Sequence, residues 1–178
     1  GEALALGVVH RVEHRVAGDD RVEFIGRFEH ADLRAVLLGG GVGIPPMIFL
    51  AEQMHRQGCQ HLPLVLMGSE LPYPFACRRS RLAADWLDSD ASQTIGSLED
   101  LGICTRLASL AGFPGVYRGY VTDLAWQYLE SRSTFELAET ELFACGPAPM
   151  LKAVATLASE FGLPCQISLE EYMACAVG

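Results

Sequence analysis

No run of apolar residues in this chain approaches the length needed to cross a bilayer, and no basic-then-apolar leader opens it. Basic residues are scarce: Lys and Arg number 13 against 22 Asp and Glu, a formal net charge of −9. A surface of that sign repels phosphate backbones, which disfavours nucleic acid as a partner, and the missing span disfavours a membrane. Also missing is any CxxC pair. The six cysteines, Cys59, Cys77, Cys104, Cys145, Cys165 and Cys175, are dispersed, and without a secretory leader reduced thiols are expected. These absences point to a soluble, cytoplasmic protein. Half of the 178 residues are hydrophobic, which argues against disorder and supplies a core.

Two textures divide the chain. Residues 1–34 are charged and β-leaning, with alternation over 10–16, an Ala-Gly-Asp-Asp turn at 17–20 and a second strand expected at 21–26. Two strands are too few for an independent unit, so this stretch reads as the remnant of a β domain or an arm packed on the rest of the chain. The chain opens on Gly1-Glu2 and closes on Ala176-Val177-Gly178, as a piece of a longer protein would.

From Ala35 the pattern becomes alternating strands and helices. Apolar runs with little alternation occupy 35–38, 64–67, 103–107, 142–145 and 165–169. Strands of this kind belong to a sheet covered on both faces. Between them, Met47, Leu50, Ala51 and Met54 share a helical face that Gly58 would end. Val121, Leu124, Ala125, Tyr128 and Leu129 form a second face with Thr122 or Asp123 near the N-cap, and Met150, Val154, Leu157 and Phe161 form a third, ended by Gly162. The connection over 68–100 is the least readable, with one helix expected in it. The expected fold class is α/β, a five-stranded parallel doubly wound sheet.

The densest motif is Gly39-Gly40-Gly41-Val42-Gly43-Ile44-Pro45-Pro46. Four glycines in five positions, between a buried strand and a helix, allow tight bending and close approach to a ligand, with a helix N-terminus facing an anion. The spacing does not meet GxGxxG, and the absent GK[ST] ending disfavours ATP or GTP hydrolysis. A second loop, Cys145-Gly146-Pro147-Ala148-Pro149-Met150, follows the fourth strand. Ligands of parallel sheets bind outside the carboxyl ends of the strands, where both loops would lie. No histidine follows His61, so Cys145 lacks a downstream base and cysteine-hydrolase chemistry is disfavoured. Ser69 and Glu70, after the second strand, can meet ribose hydroxyls, whereas Arg78, Arg79 and Arg81 can meet a 2′-phosphate. The first reading favours NAD, the second NADP, and the balance leans to NAD.

GGGVGIPPM, then Arg118-Gly119-Tyr120-Val121-Thr122-Asp123, then CGPAPM, in that order, resemble the ferredoxin–NADP reductase superfamily. The closing Ser168-Leu-Glu-Glu-Tyr-Met-Ala-Cys175 narrows the resemblance to the electron-transfer subunits of class 1B dihydroorotate dehydrogenases. There the cysteines run C-x4-C-x2-C plus one more, with Cys175 in the place of the first metal ligand. The resemblance implies a remnant of the flavin barrel over 1–34, a pyridine-nucleotide-binding domain over 35–170 and the start of a truncated [2Fe-2S] segment over 171–178.

It also implies roles. Gly39, Gly40, Gly41, Val42, Gly43, Ile44 and Pro45 would carry the pyrophosphate of NAD(P)H. Ser69, Glu70 and Tyr120 would lie beside it, and Cys145, Gly146, Pro147 and Met150 by the nicotinamide. Cys145 would be reachable by solvent in the empty domain. The parent protein would pass a hydride from the nucleotide to FAD, and electrons to a [2Fe-2S] cluster and a catalytic partner subunit, for dihydroorotate dehydrogenase in pyrimidine biosynthesis. A single cysteine cannot hold the cluster, so flavin and cluster are expected to be absent from this stretch. A reductase subunit for a hydrogenase or oxygenase, a non-catalytic nucleotide-binding module and a homo-oligomer remain open alternatives.

Overall fold

In the computed structural model, residues 32–87 and 90–169 are described. The strands expected over 10–16 and 21–26, and the terminal segment with Cys175, lie outside the described residues. The strands are β1 (Arg34–Gly40), β2 (Leu64–Gly68), β3 (Cys77–Arg79), β4 (Gln93–Ile95), β5 (Thr105–Ala108), β6 (Thr140–Gly146) and β7 (Cys165–Leu169). The helices are α1 (Ile44–Arg56), α2 (Gly96–Asp100), α3 (Val121–Glu130), α4 (Thr134–Ala138) and α5 (Ala148–Phe161).

Each continuous apolar run becomes a parallel strand, in the order β5-β2-β1-β6-β7. Successive side chains of a strand point to opposite faces, and here both faces are covered. Val36, Leu38, Leu66, Leu142 and Ala144 pack beneath α3 and α5, while Ala35, Leu37, Val65, Phe143 and Cys145 pack beneath α1 and α2. A fully buried side chain such as Leu37 or Leu38 contributes about 2 kcal/mol relative to exposure. The doubly wound parallel sheet expected from the sequence is therefore borne out.

Helix ends follow local chemistry. Pro45 and Pro46 occupy the first turn of α1, where a missing N–H costs little, and Gly58 turns left-handed just past its end at φ +69°. Gly162 ends α5 in the same way at φ +66°. The N-cap expected at Thr122 or Asp123 is instead Tyr120, because Asp123 sits at N3 and its carboxylate accepts the Tyr120 N–H at 2.7 Å. The apolar stripe of α5 is rotated by one residue. Leu151, Val154, Leu157 and Ala158 are buried, and Met150 and Phe161 flank them half-buried.

The 68–100 connection holds its one expected helix as the five-residue α2, preceded by the antiparallel β3–β4 ribbon. Three-residue strands carry no readable periodicity, so the ribbon has no signature in the sequence. Helix α4 does have one. Ser133-Thr-Phe-Glu136 is a capping box, with the Glu136 N–H donating to Ser133 Oγ at 3.3 Å and the Ser133 N–H to Glu136 Oε2 at 3.0 Å.

Candidate functional site

The candidate site residues from three loops and one helix start meet at the carboxyl edge of the sheet. Register pairs Gly40 with Gly68, Gly68 with Ala108, and Gly39 with Cys145, so four adjacent strands end in small residues. The start of α3 abuts this row, since a Cβ on Gly68 would lie 3.1 Å from Val121 Cβ. Glycine loop, Ser69–Glu70, Tyr120 and the Cys145–Met150 loop therefore lie along one edge of the sheet.

The glycines serve different purposes. A Cβ on Gly43 would overlap the Cys145 carbonyl and lie 2.7 Å from Gly146 N, so its absence lets the 3-10 turn over Gly41–Gly43 sit directly on the end of β6. A Cβ on Gly39 would overlap the Met67 sulfur, and one on Gly40 the Met150 sulfur. Gly41 is unlike them. It is exposed, left-handed at φ +56°, and nothing lies within 4 Å of where its Cβ would be. That backbone is open to an incoming group.

Beside it Val42 is 61% exposed, as is Tyr120 at the start of α3, and Leu71 and Leu110 are exposed in the loops after β2 and β5. Ile44 is buried in the α1-side core and Pro45 is exposed. The first turns of α1 and α5 contain no acidic residue, so their N-termini present positive dipole ends to the edge. Gly146 is buried and Pro147 exposed.

Ser69 Oγ is engaged in a local turn, donating to Leu71 O at 2.8 Å and accepting from its N–H at 3.2 Å, while Glu70 projects exposed. Sequence reasoning missed Tyr73. Its hydroxyl donates to Ala108 O at 2.7 Å and ties the loop after β2 to the end of β5. Burial pushes its phenol well above the ordinary range, so it remains a donor. The partner is 35 positions away, and no local pattern announces it.

One expectation is corrected here. Cys145 is not reachable by solvent: it is 5% exposed, because strand alternation places it on the same face as Phe143, in the α1-side core. Its contribution to the edge is its backbone, on which Gly43 rests. The arginines held as the alternative, for a 2′-phosphate, belong to the β3–β4 side of the molecule. Arg78 pairs in register with Thr94, whose hydroxyl meets that of Thr105, the first residue of β5. That places the cluster at the amino end of the sheet, away from the carboxyl edge.

There Arg78 Nε donates to Glu99 Oε2 at 3.2 Å, and Arg81 Nη2 to Asp100 Oδ1 at 3.1 Å. Arg78 also pairs with Asp100. Arg79 takes no part in this network. Burial pushes the Glu99 carboxyl up, but hydrogen bonds from Ser80 Oγ, the Arg81 N–H and the Arg78 guanidinium outweigh it and hold the group below its ordinary value.

A groove of about 620 Å³ opens between α3 and α5, lined by Tyr117, Asp123, Trp126, Gln127 and Leu157. Among the described residues no group of three or more His, Cys, Asp or Glu is placed to hold a metal ion. Nor, among them, is any helix long and apolar enough to cross a membrane.

No protein-family model matches the chain. It is 36% identical over 149 residues to the dihydroorotate dehydrogenase B (NAD(+)) electron transfer subunit of Geobacillus kaustophilus, covering 83% of this chain and 46% of that protein. To the subunit of the same name from Geobacillus thermodenitrificans it is 32% identical over 168 residues, covering 89% and 53%. The chain is thus similar to this family of electron-transfer subunits, and it spans about half the length of the curated relatives it matches. Among solved structures, it superposes on the Amycolatopsis cytochrome P450 reductase GcoB with TM-score 0.55 and 19% identity, over 78% of this chain and 38% of that one. The flavohemoglobin of Malassezia yamatoensis, solved with FAD and heme, gives TM-score 0.53 and 14% identity, over 79% and 32%. These bear out the reductase-like fold. The curated relatives are electron-transfer subunits, as the motifs implied.

Proposed function

We propose that this chain is the pyridine-nucleotide-binding part of an electron-transfer oxidoreductase subunit of the dihydroorotate dehydrogenase type. The observation that carries the reading is the carboxyl edge itself: a left-handed, open Gly41 between two helix N-termini, at the ends of strands that finish in glycine. Helix starts with no acid in their first turn suit a pyrophosphate, and Gly41 and Val42 present backbone to it without a blocking side chain. The Ile44 side chain anchors the loop in the core, and Gly43 fixes it to the Cys145–Gly146 peptide. Tyr120 and Pro147 stand at the carboxyl edge, where the nicotinamide would lie. Cys145 acts through its backbone.

Bound NADH supplies a hydride, and the chain's own task is to hold and orient it. Glu70, exposed after β2, accepts hydrogen bonds from ribose hydroxyls, while Arg78 and Arg81 are neutralised at the opposite edge. NADH is therefore preferred to NADPH. The name of the relatives supports a wider role, in which the whole protein would relay electrons through FAD and a [2Fe-2S] centre to a catalytic partner subunit. The division into a 1–34 flavin-barrel remnant, a 35–170 nucleotide domain and a 171–178 cluster segment belongs to the same proposal.

Calorimetric titration of the 178-residue chain with NADH and NADPH tests it. Gly41→Val places a β-branched residue at φ +56° and is expected to weaken NADH binding by about tenfold or more, with circular dichroism unchanged. Equal affinity of the parent chain and the variant would sink the assignment.

A further inference from the structure

We infer that Met150 is a positioning residue: its thioether fills the space left by the missing side chains of Gly40 and Gly146, and so sets the spacing of the two loops that a dinucleotide would span. The inference rests on the nucleotide-binding reading of the carboxyl edge. Register places Gly39 opposite Cys145, so Gly40 and Gly146 are the next residues of neighbouring parallel strands. A Cβ on Gly40 would overlap Met150 Sδ and lie 3.3 Å from Pro147 Cδ. One on Gly146 would lie 2.9 Å from Met150 Cε, 3.1 Å from its Sδ and 3.1 Å from Gly40 O. One thioether thus serves both vacancies, from the first turn of α5.

The arrangement has a mechanical meaning. Two glycines at one level would leave a void between the loop backbones, and interiors of protein density do not leave such voids unfilled. Methionine suits the place because it is unbranched and fills irregular gaps. Met150 is half-buried and packs against the α3- and α5-side core, so the spacing of the loops is referred to that core. Gly43 differs, since the obstacle there is the Cys145 backbone. At Gly40 the obstacle is the end of a flexible side chain, so an added methyl displaces Met150 and leaves the strand in place.

This gives a compensation test on the full 178-residue chain, with NADH affinity read by calorimetry and stability by thermal unfolding. Met150→Ala is expected to weaken NADH binding by about tenfold, since small displacements of positioning groups carry large costs. Met150→Leu, close in volume, should stay within about twofold of the parent. Gly40→Ala should weaken binding in the parent chain and have little further effect in the Met150→Ala background, where its methyl refills the vacated space. Strictly additive effects of the two on affinity would overturn the inference. So would a Met150→Ala chain with lowered Tm and unaltered NADH affinity. A parent chain that does not bind NADH would overturn the nucleotide reading itself, a result distinct from binding that is indifferent to Met150.

Discussion

The two edges of the sheet are built by opposite means. At the amino end of β5, Arg78, Arg81, Ser80, Glu99, Asp100 and the buried Arg106 form a network of charge and hydrogen bonds. At the carboxyl edge the candidate site is made largely of absences: glycines whose missing Cβ atoms let loops interlock, prolines without N–H groups, and exposed apolar side chains. The charged cluster has the composition of a functional centre, yet Arg78 and Arg81 are paired with Glu99 and Asp100, and Arg106 donates to Ser80 Oγ and to the Thr105 and Leu82 carbonyls. The lesson is that a concentration of ionisable residues marks a site only where some of that capacity is left unspent.

The comparison breaks most sharply at Gly43. Gly43→Ala should cost about 3 kcal/mol of stability in denaturant unfolding, because the overlap falls on rigid backbone, and should abolish NADH binding as well. A stable, binding-competent Gly43→Ala chain would mean that the two loops do not rest on each other.

Next is the amino edge. Glu99→Gln should destabilise by about 2 kcal/mol, since it removes the charge that Arg78 and Arg81 pair with, while leaving NADH affinity unchanged. It should also alter the acid limb. The folded Glu99 carboxyl lies below its ordinary value of 4.5, so the unfolded chain binds the proton more tightly. Its stabilisation is complete above that pH and is lost as the pH falls through the folded value. Unfolding measured from pH 7 to pH 3 should therefore show a shallower decline for Glu99→Gln, in roughly the range set by carboxylate titration. A change in NADH affinity would show that the edges are coupled.

Smallest is Tyr73→Phe, expected to cost about 1 kcal/mol, because Ala108 O still accepts the Ser69 N–H at 3.1 Å. A larger loss would show that the hydroxyl braces the carboxyl edge more than its contacts with the Ala108 and Met67 carbonyls imply.

Much of the architecture was legible in the residues. Continuous apolar runs required a sheet covered on both faces, and the stripes of α1 and α3 appeared where helical periodicity put them. The β3–β4 ribbon was not legible, since three residues cannot display a period. Helix α4 was legible through its capping box and was missed. At the site, glycine density marked the loop but could not assign work to individual glycines. Gly41 and Gly43 look alike in sequence. One faces open space, and the other touches a carbonyl about a hundred positions further along.

The sequence by itself determined the parallel sheet, the helices between its strands and the two loops at their carboxyl ends, because burial periodicity and backbone freedom are local properties. Only the tertiary structure decided that Cys145 turns inward, that Arg78 and Arg81 lie at the far edge, and that Met150 stands in for two absent side chains. Those outcomes depend on which strands become neighbours and in what register, and the space beside a residue is set by chain that is remote in sequence.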